Sequence, residues 1–290
     1  MLRLFSKFLL ASFFALSIFS VEAQKVNEPS PTPAEWSRPF QPFRIAGNLY
    51  YVGTYDLACY LITSKKGHIL INTGLASSAE QIKKNIKALG FKFTDIKILL
   101  TTQAHYDHLG AMAAIKKETG AKMMVDEADA DVMENGGSND YALGGEGYMY
   151  APIKADSLLQ DGDSIKMGEN LLVMLHHPGH TKGSCSFMVT TKDKKKSYRV
   201  LIANMPTIVT EHAFDAIPAY PGISKDYAYT LKAMRQLKFD LWVASHASQF
   251  GLHSKRLPGD AYNPSAFKDR KGYNKLLEEL QQDYDEHLKK

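Results

Sequence analysis

Cysteine is scarce in this chain: Cys59 and Cys185 are the only two among 290 residues. Two cysteines allow at most one disulfide. Both lie in strand-like stretches, Ala58 to Ile62 and Ser184 to Val189, so a pair of buried thiols fits as well as a bond. Neither sits in a motif that suggests a cysteine nucleophile. A basic stripe interleaved with aromatics is also lacking, which argues against a nucleic-acid partner. The formal charge is +4, and the densest basic run, Lys192 to Lys196, is interrupted by Asp193 and reads as a solvated hairpin turn. Low complexity and sequence-level repeats are absent, as is any long apolar run beyond the N-terminus. The composition, 44% hydrophobic and 23% charged, is that of an ordinary globular protein. The length allows one large domain or two small ones.

The N-terminus reads as a targeting segment. Arg3 and Lys7 precede an apolar run from Phe8 to Phe19, and Val21-Glu22-Ala23 offers a cleavage site before Gln24. A charged start, a short apolar core and a small residue at the cut describe a secretory signal peptide over residues 1–23. The run is short for a membrane span, which needs roughly 20 residues. No cysteine follows the cut, so a lipid anchor is not expected there. An uncleaved anchor is the alternative. Residues 24–43 carry five prolines and read as an extended arm, and residues 44–290 as one folded domain.

Within that domain, strands are expected over Asn48–Val52, Ala58–Thr63 and His68–Asn72, with a turn at Ser64-Lys65-Lys66-Gly67. Ser78–Leu89 reads as a helix stopped by Gly90. Strand Ile96–Thr101 leads into His105-x-Asp107-His108, followed by a helix from about Leu109 to Glu118. Strand Lys122–Val125 and an Asp-rich helix, Glu127–Glu134, come next, then a glycine-rich loop from Gly136 to Tyr150 with exposed aromatics. The second half reads as strands Ser164–Met167, Leu171–His176, Ser184–Thr190 and Arg199–Ala203. Helix Tyr227–Leu237, strand Leu241–Ala244 and a C-terminal helix over about Pro264–Leu288 complete it. Two halves of this style suggest two mixed sheets packed face to face with helices outside, an α+β αββα sandwich.

The chemistry gathers at three places. His105-x-Asp107-His108 follows an apolar strand, and imidazole and carboxylate are zinc donors. Three donors in four residues make a ligand cluster a stronger reading than a polar helix-capping turn. His180 lies in His177-Pro178-Gly179-His180, a tight turn after a strand, and His246 follows strand Leu241–Ala244. Either of these alone reads as a loop histidine. All three places lie at C-terminal strand ends, so one sheet edge could collect them.

In order, spacing and turn residues, these motifs resemble the metallo-β-lactamase superfamily, from about Phe43 to the C-terminus. Asn72-Thr73-Gly74 matches where that family has Asp or Asn before glycine. The family signature is His-x-His-x-Asp-His, and here Gln103 replaces the first histidine. Lactonases and thiolesterases of the family carry a metal-bridging Asp where this chain has Leu201-Ile202-Ala203-Asn204-Met205-Pro206. The first β-lactamase subclass carries a cysteine ligand there, and this chain has none. What remains resembles the third subclass of class B β-lactamases, and within it the GOB-type enzymes with Gln in the zinc motif.

That resemblance implies one or two zinc ions. Site one would be Gln103, His105 and His180; site two would be Asp107, His108 and His246. It implies hydrolysis of the β-lactam amide of penicillins, cephalosporins and carbapenems by zinc-bound hydroxide, which confers antibiotic resistance. Asp107 would be the catalytic carboxylate. Thr207 resembles the subclass's hydroxyl donor to substrate, and Tyr148 and Met149 could pack on substrate side groups, although packing of a surface loop explains them equally. A periplasmic monomer without nucleic-acid or lasting membrane partners is expected. The other histidines, His68, His176, His177, His212, His253 and His287, are read as structural or exposed. The alternatives are another hydrolase of this fold, such as a lactonase or thiolesterase, and a non-enzymatic protein using zinc only to fold.

Overall fold

A computed structural model of the chain describes residues 25–194 and 196–290. The proposed signal segment, residues 1–23, and its cleavage point lie outside them. Among the described residues two sheets stack. The first contains β1 (Phe43–Ala46), β2 (Leu49–Tyr51), β3 (Tyr60–Ile62), β4 (His68–Ile71), β5 (Ile96–Leu100), β6 (Lys122–Asp126) and β7 (Ser157–Leu159), paired in chain order. The second contains β8 (Ser164–Met167), β9 (Asn170–His176), β10 (Cys185–Asp193), β11 (Lys196–Ala203) and β12 (Leu241–Ala244), also neighbours in chain order. Pairing is antiparallel through β4 and parallel from β4 to β7; in the second sheet only β11 and β12 are parallel.

The period of two along a strand distributes side chains between layers. On β4, Ile69 and Ile71 enter the core shared by the sheets, while Leu70 joins a second core under the first sheet's outer helices. Tyr60 and Ile62 divide from Leu61 on β3 in the same way. A strand buried on both faces explains why these segments read as apolar runs rather than alternations.

The arm contains a short helix, α1 (Ala34–Ser37), and Val26 bridges Tyr148, so it is less extended than its prolines suggest. Helices α2 (Ala79–Ala88), α3 (Tyr106–Leu109), α4 (Met112–Thr119) and α5 (Ala130–Glu134) belong to the first half, and the second core gathers under α2, α4 and α5. The second half adds α6 (Ile223–Gln236), α7 (Leu252–Lys255) and α8 (Arg270–His287). α6 buries Ile223, Tyr227, Leu231 and Met234, a helical stripe that begins one turn before the expected start. The order is helices, sheet, sheet, helices. The run around Lys192–Lys196 is the β10–β11 hairpin, with Asp193 opposite Lys196. Cys59 and Cys185 are both buried and free.

Register places the ends of several strands of both sheets together. Tyr60 at the start of β3 faces Ile71 at the end of β4, and Ala203 faces Ala244. His176 at the end of β9 faces Cys185. At this edge the sheets are joined by backbone hydrogen bonds, Ala58 N to Ser245 O at 3.0 Å and Cys185 N to Thr102 O at 2.8 Å. These bonds fix how far apart the loops that leave the edge can lie.

Candidate metal centre

The first loop leaves β5 at Leu100. Asn72 holds φ at +61°, in the left-handed region asparagine tolerates better than most residues. From there its Oδ1 accepts a bond of 2.9 Å from Thr102 N. His105 stays extended, and α3 begins at Tyr106, putting Asp107 and His108 in its first turn. Thr73 N donates to His108 O at 2.8 Å. The turn then passes so close to residues 74–76 that a β-carbon on Gly110 would meet Ala76 N at 2.4 Å. The single helix expected from Leu109 to Glu118 is therefore two: α3 starts three residues earlier, and α4 follows the break.

Asp107, His108 and His246 converge. One ligand atom from each lies within 4.8 Å of the others. Asp107 Oδ2 is 3.2 Å from His108 Nε2 and 3.3 Å from His246 Nε2. The far nitrogen of His246, Nδ1, is 3.0 Å from Asp56 Oδ2. Asp56 is fixed in turn by Ser248 N, which donates to its Oδ1 at 2.8 Å. Burial alone would raise the Asp107 carboxyl, but His108 and His246 hold it well below the ordinary carboxylate range. Burial alone would lower His246, yet Asp107 and Asp56 together carry it up to about 9.

Beside this group, the rings of His105 and His180 stand 4.9 Å apart. His180 Nδ1 lies 2.7 Å from Thr207 O and 3.0 Å from Thr207 Oγ1, which leaves Nε2 free. Burial, then the neighbouring His105, pushes His180 down to about 3, so it is neutral. His105 Nε2 is 3.3 Å from Asp140 Oδ2. Its N–H is not aligned on that oxygen, so charge rather than a formed hydrogen bond holds the pair. Gln103 is buried, and its Oε1 has no partner.

A buried carboxylate ties the two loops. Asp129 accepts from Ala104 N at 2.9 Å, Thr181 Oγ1 at 2.7 Å and Gly183 N at 2.7 Å. A β-carbon on Gly183 would sit 2.4 Å from Asp129 N, so glycine permits this approach. Burial, against the bonds from Thr181 and Gly183, raises Asp129 to about 6.

Buried polar atoms without partners cost free energy and are rare. Gln103 Oε1 and both ring nitrogens of His108 are among them, while His105 Nε2 has only the charge of Asp140 in front of it. A donor set of imidazole nitrogens with one carboxylate, and no thiolate, suits zinc. The outer partners have the arrangement that orients metal-binding histidines, an acceptor on the far ring nitrogen.

The residues expected at the substrate are placed differently from one another. Thr207 turns its hydroxyl to His180. Tyr148 is half-buried, while Met149 and Tyr150 are buried in the core beneath the outer helices. The loop from Gly136 to Tyr150 therefore turns its aromatics inward instead of exposing them, because Tyr150 Oη finds an acceptor in Ala104 O at 2.7 Å. Asp56, Asp129 and Asp140 were not singled out by the sequence. Isolated loop carboxylates carry no periodicity, and only the acidic density around Asp129 offered a hint.

Comparison with known proteins places the chain in a family. A profile of the metallo-β-lactamase superfamily matches residues 53–191. The class B3 di-zinc metallo-β-lactamase LRA-12 from an Alaskan soil metagenome is 69% identical, with a TM-score of 0.90 over 91% of this chain and 100% of that one. The metallo-β-lactamase GOB-18 from Elizabethkingia meningoseptica is 56% identical, with a TM-score of 0.91 over 92% of this chain and 99% of that one. Among curated proteins, a probable metallo-hydrolase of Burkholderia pseudomallei (strain 1710b) is 30% identical over 114 residues, 39% of this chain. The chain spans only 37% of that protein's length and 60% of the next relative's. With near-complete coverage of the solved enzymes at such identity, the chain belongs to the metallo-β-lactamase family, within class B3.

Proposed function

We propose that the protein is a zinc-dependent hydrolase that opens the amide of penicillins, cephalosporins and carbapenems. Site one is Gln103, His105 and His180, and site two is Asp107, His108 and His246. The observation that carries the reading is the three-donor group of site two beside the facing imidazoles of site one, at an edge where both sheets end. The solved relatives named above, described as metallo-β-lactamases, support the same chemistry.

When bound, zinc supplies a Lewis acid that brings the pKa of a water near 7 and offsets developing negative charge. The chain supplies the rest. Asp107 stays ionised at neutral pH and places a carboxylate oxygen between His108 and His246, where it can orient a proton. Asp56 and Thr207 hold His246 and His180 with their Nε2 atoms turned inward. The half-buried Tyr148 is a group offered to substrate; Thr207 Oγ1 can be one only while it also accepts from His180 Nδ1. At the end of β11, where lactonases and thiolesterases carry a bridging Asp, the buried Asn204 supplies no carboxylate.

Export to the periplasm follows from the signal-like residues 1–23, with residues 24–43 as the arm and 44–290 as the enzyme domain, acting as a monomer. No helix among the described residues is long and apolar enough to cross a membrane. Nitrocefin turnover by the purified chain from Gln24, with and without a chelator, tests the function. Turnover lost on chelation and restored by zinc is expected; turnover that survives complete metal removal overturns the reading.

A further inference from the structure

None of the protein ligands proposed for site one is anionic, and a carboxylate stands behind them. The glycine-rich loop brings it. The Asp140 side chain is 2% exposed, and its Oδ2 faces His105 Nε2 at 3.3 Å. The other oxygen is occupied: Oδ1 accepts from Ala142 N at 2.9 Å and Leu143 N at 2.8 Å. These two bonds aim the free oxygen at the histidine.

The next residue reaches the other histidine. Tyr141 Oη lies 3.0 Å from His180 O and 3.2 Å from Gly179 O, and its ring packs edge-on against Tyr220 at 5.1 Å. At the end of the loop, Tyr150 Oη donates to Ala104 O, between Gln103 and His105. One loop thus touches each segment that carries a site-one residue. Site two's distant histidine, His246, is held instead by Asp56 and by the junction of the sheets.

We propose that Asp140 and Tyr141 are positioning residues for the metal of site one, so that the loop from Gly136 to Tyr150 governs metal retention there independently of site two. This rests on the ligand assignment above. A negative charge facing the far nitrogen of an imidazole favours the proton on that nitrogen, leaves the other nitrogen free for metal and makes it a better donor. That gain matters most where a neutral carboxamide stands in for a third imidazole. Tyr141 acts by holding the backbone that carries His180.

Asp140→Asn separates this role from a structural one. Asparagine keeps the Oδ1 acceptor for Ala142 and Leu143 and puts an amide NH2 where the charged Oδ2 faced His105, so charge and acceptor are lost there together. Wild type, Asp140→Asn, Tyr141→Phe and His180→Ala are titrated with zinc to saturation against a chromophoric chelator, with circular dichroism to check folding. Site-one affinity is expected to fall about 10- to 100-fold in Asp140→Asn, with site two unchanged. Tyr141→Phe keeps the ring and is expected to lose roughly three- to tenfold at site one; it carries the test if Asp140→Asn does not fold. Unchanged affinities in both variants, or equal falls at both sites, overturn the proposal. If His180→Ala removes no zinc, the ligand assignment fails and the proposal with it. If it removes one zinc while Asp140→Asn and Tyr141→Phe keep it, the loop's role alone is refuted.

Discussion

The two proposed metal sites share one plan and differ in where the negative charge sits. Each takes two residues from the loop after β5 and one distant histidine: Gln103, His105 and His180 for site one, Asp107, His108 and His246 for site two. In the proposed site two the anion would itself be a ligand, Asp107, 3.2 and 3.3 Å from its partner nitrogens. In site one the anion stands behind the ligand, Asp140 at 3.3 Å from His105. A charge in the first position interacts with the metal directly, whereas one behind an imidazole acts through ring orientation and basicity. Two ligand sets of similar shape can therefore differ in strength, and zinc is expected to fill site two first.

The largest effect should come from removing the inner anion. Asp107→Ala is expected to lower kcat/KM by roughly a thousandfold or more, beyond the 10- to 100-fold typical of losing an outer partner, while circular dichroism reports an intact fold. Near-wild-type turnover in a folded variant would remove the distinction between the sites.

Proton competition should sharpen the contrast. Because His246 stands at about 9, it holds a proton at pH 7 before metal enters, and zinc must displace it. From pH 9 downward, site-two affinity should fall about tenfold per unit from this proton alone. At site one His180, held down at about 3, contributes no such slope, while His105, lowered by burial but raised overall by Asp140, adds a proton of its own. Calorimetric titrations in buffers of different ionisation enthalpy measure the protons released; no release from site two at pH 7 would contradict the assignment.

The smallest change should come from Gln103→His, which replaces a neutral carboxamide with an imidazole. Site one should tighten by about tenfold, roughly 1.4 kcal/mol. Metal analysis after dialysis of both proteins reads this. Two equally tight zincs in the wild type, unchanged by the substitution, would count against a weak site one.

Much of the fold was legible because its signals are local. β8 and β12 match the expected strands, and α2 was visible from Ile82 and Ile86 at helical spacing with Gly90 behind them. β7 escaped notice: it is three residues at a sheet edge, with Leu158 exposed. α3 was missed because it is a single turn, separated from α4 by the packing of Gly110 against residues 74–76. The inward Tyr150, one of the aromatics the loop was expected to expose, and the buried Met149, expected at substrate or in loop packing, owe their cover to segments distant in the chain.

By itself the sequence determined the donors that chemistry requires, because His105, Asp107 and His108 stand within four residues and the strands before them are continuous apolar runs. Register and the joining of the sheets decided the rest. They brought His180 and His246 to the same edge and set Asp56, Asp129 and Asp140 behind the ligands. A carboxylate's role there depends on which nitrogen lies about 3 Å away, and that distance is fixed by the packing of both sheets, not by residues adjacent in the chain.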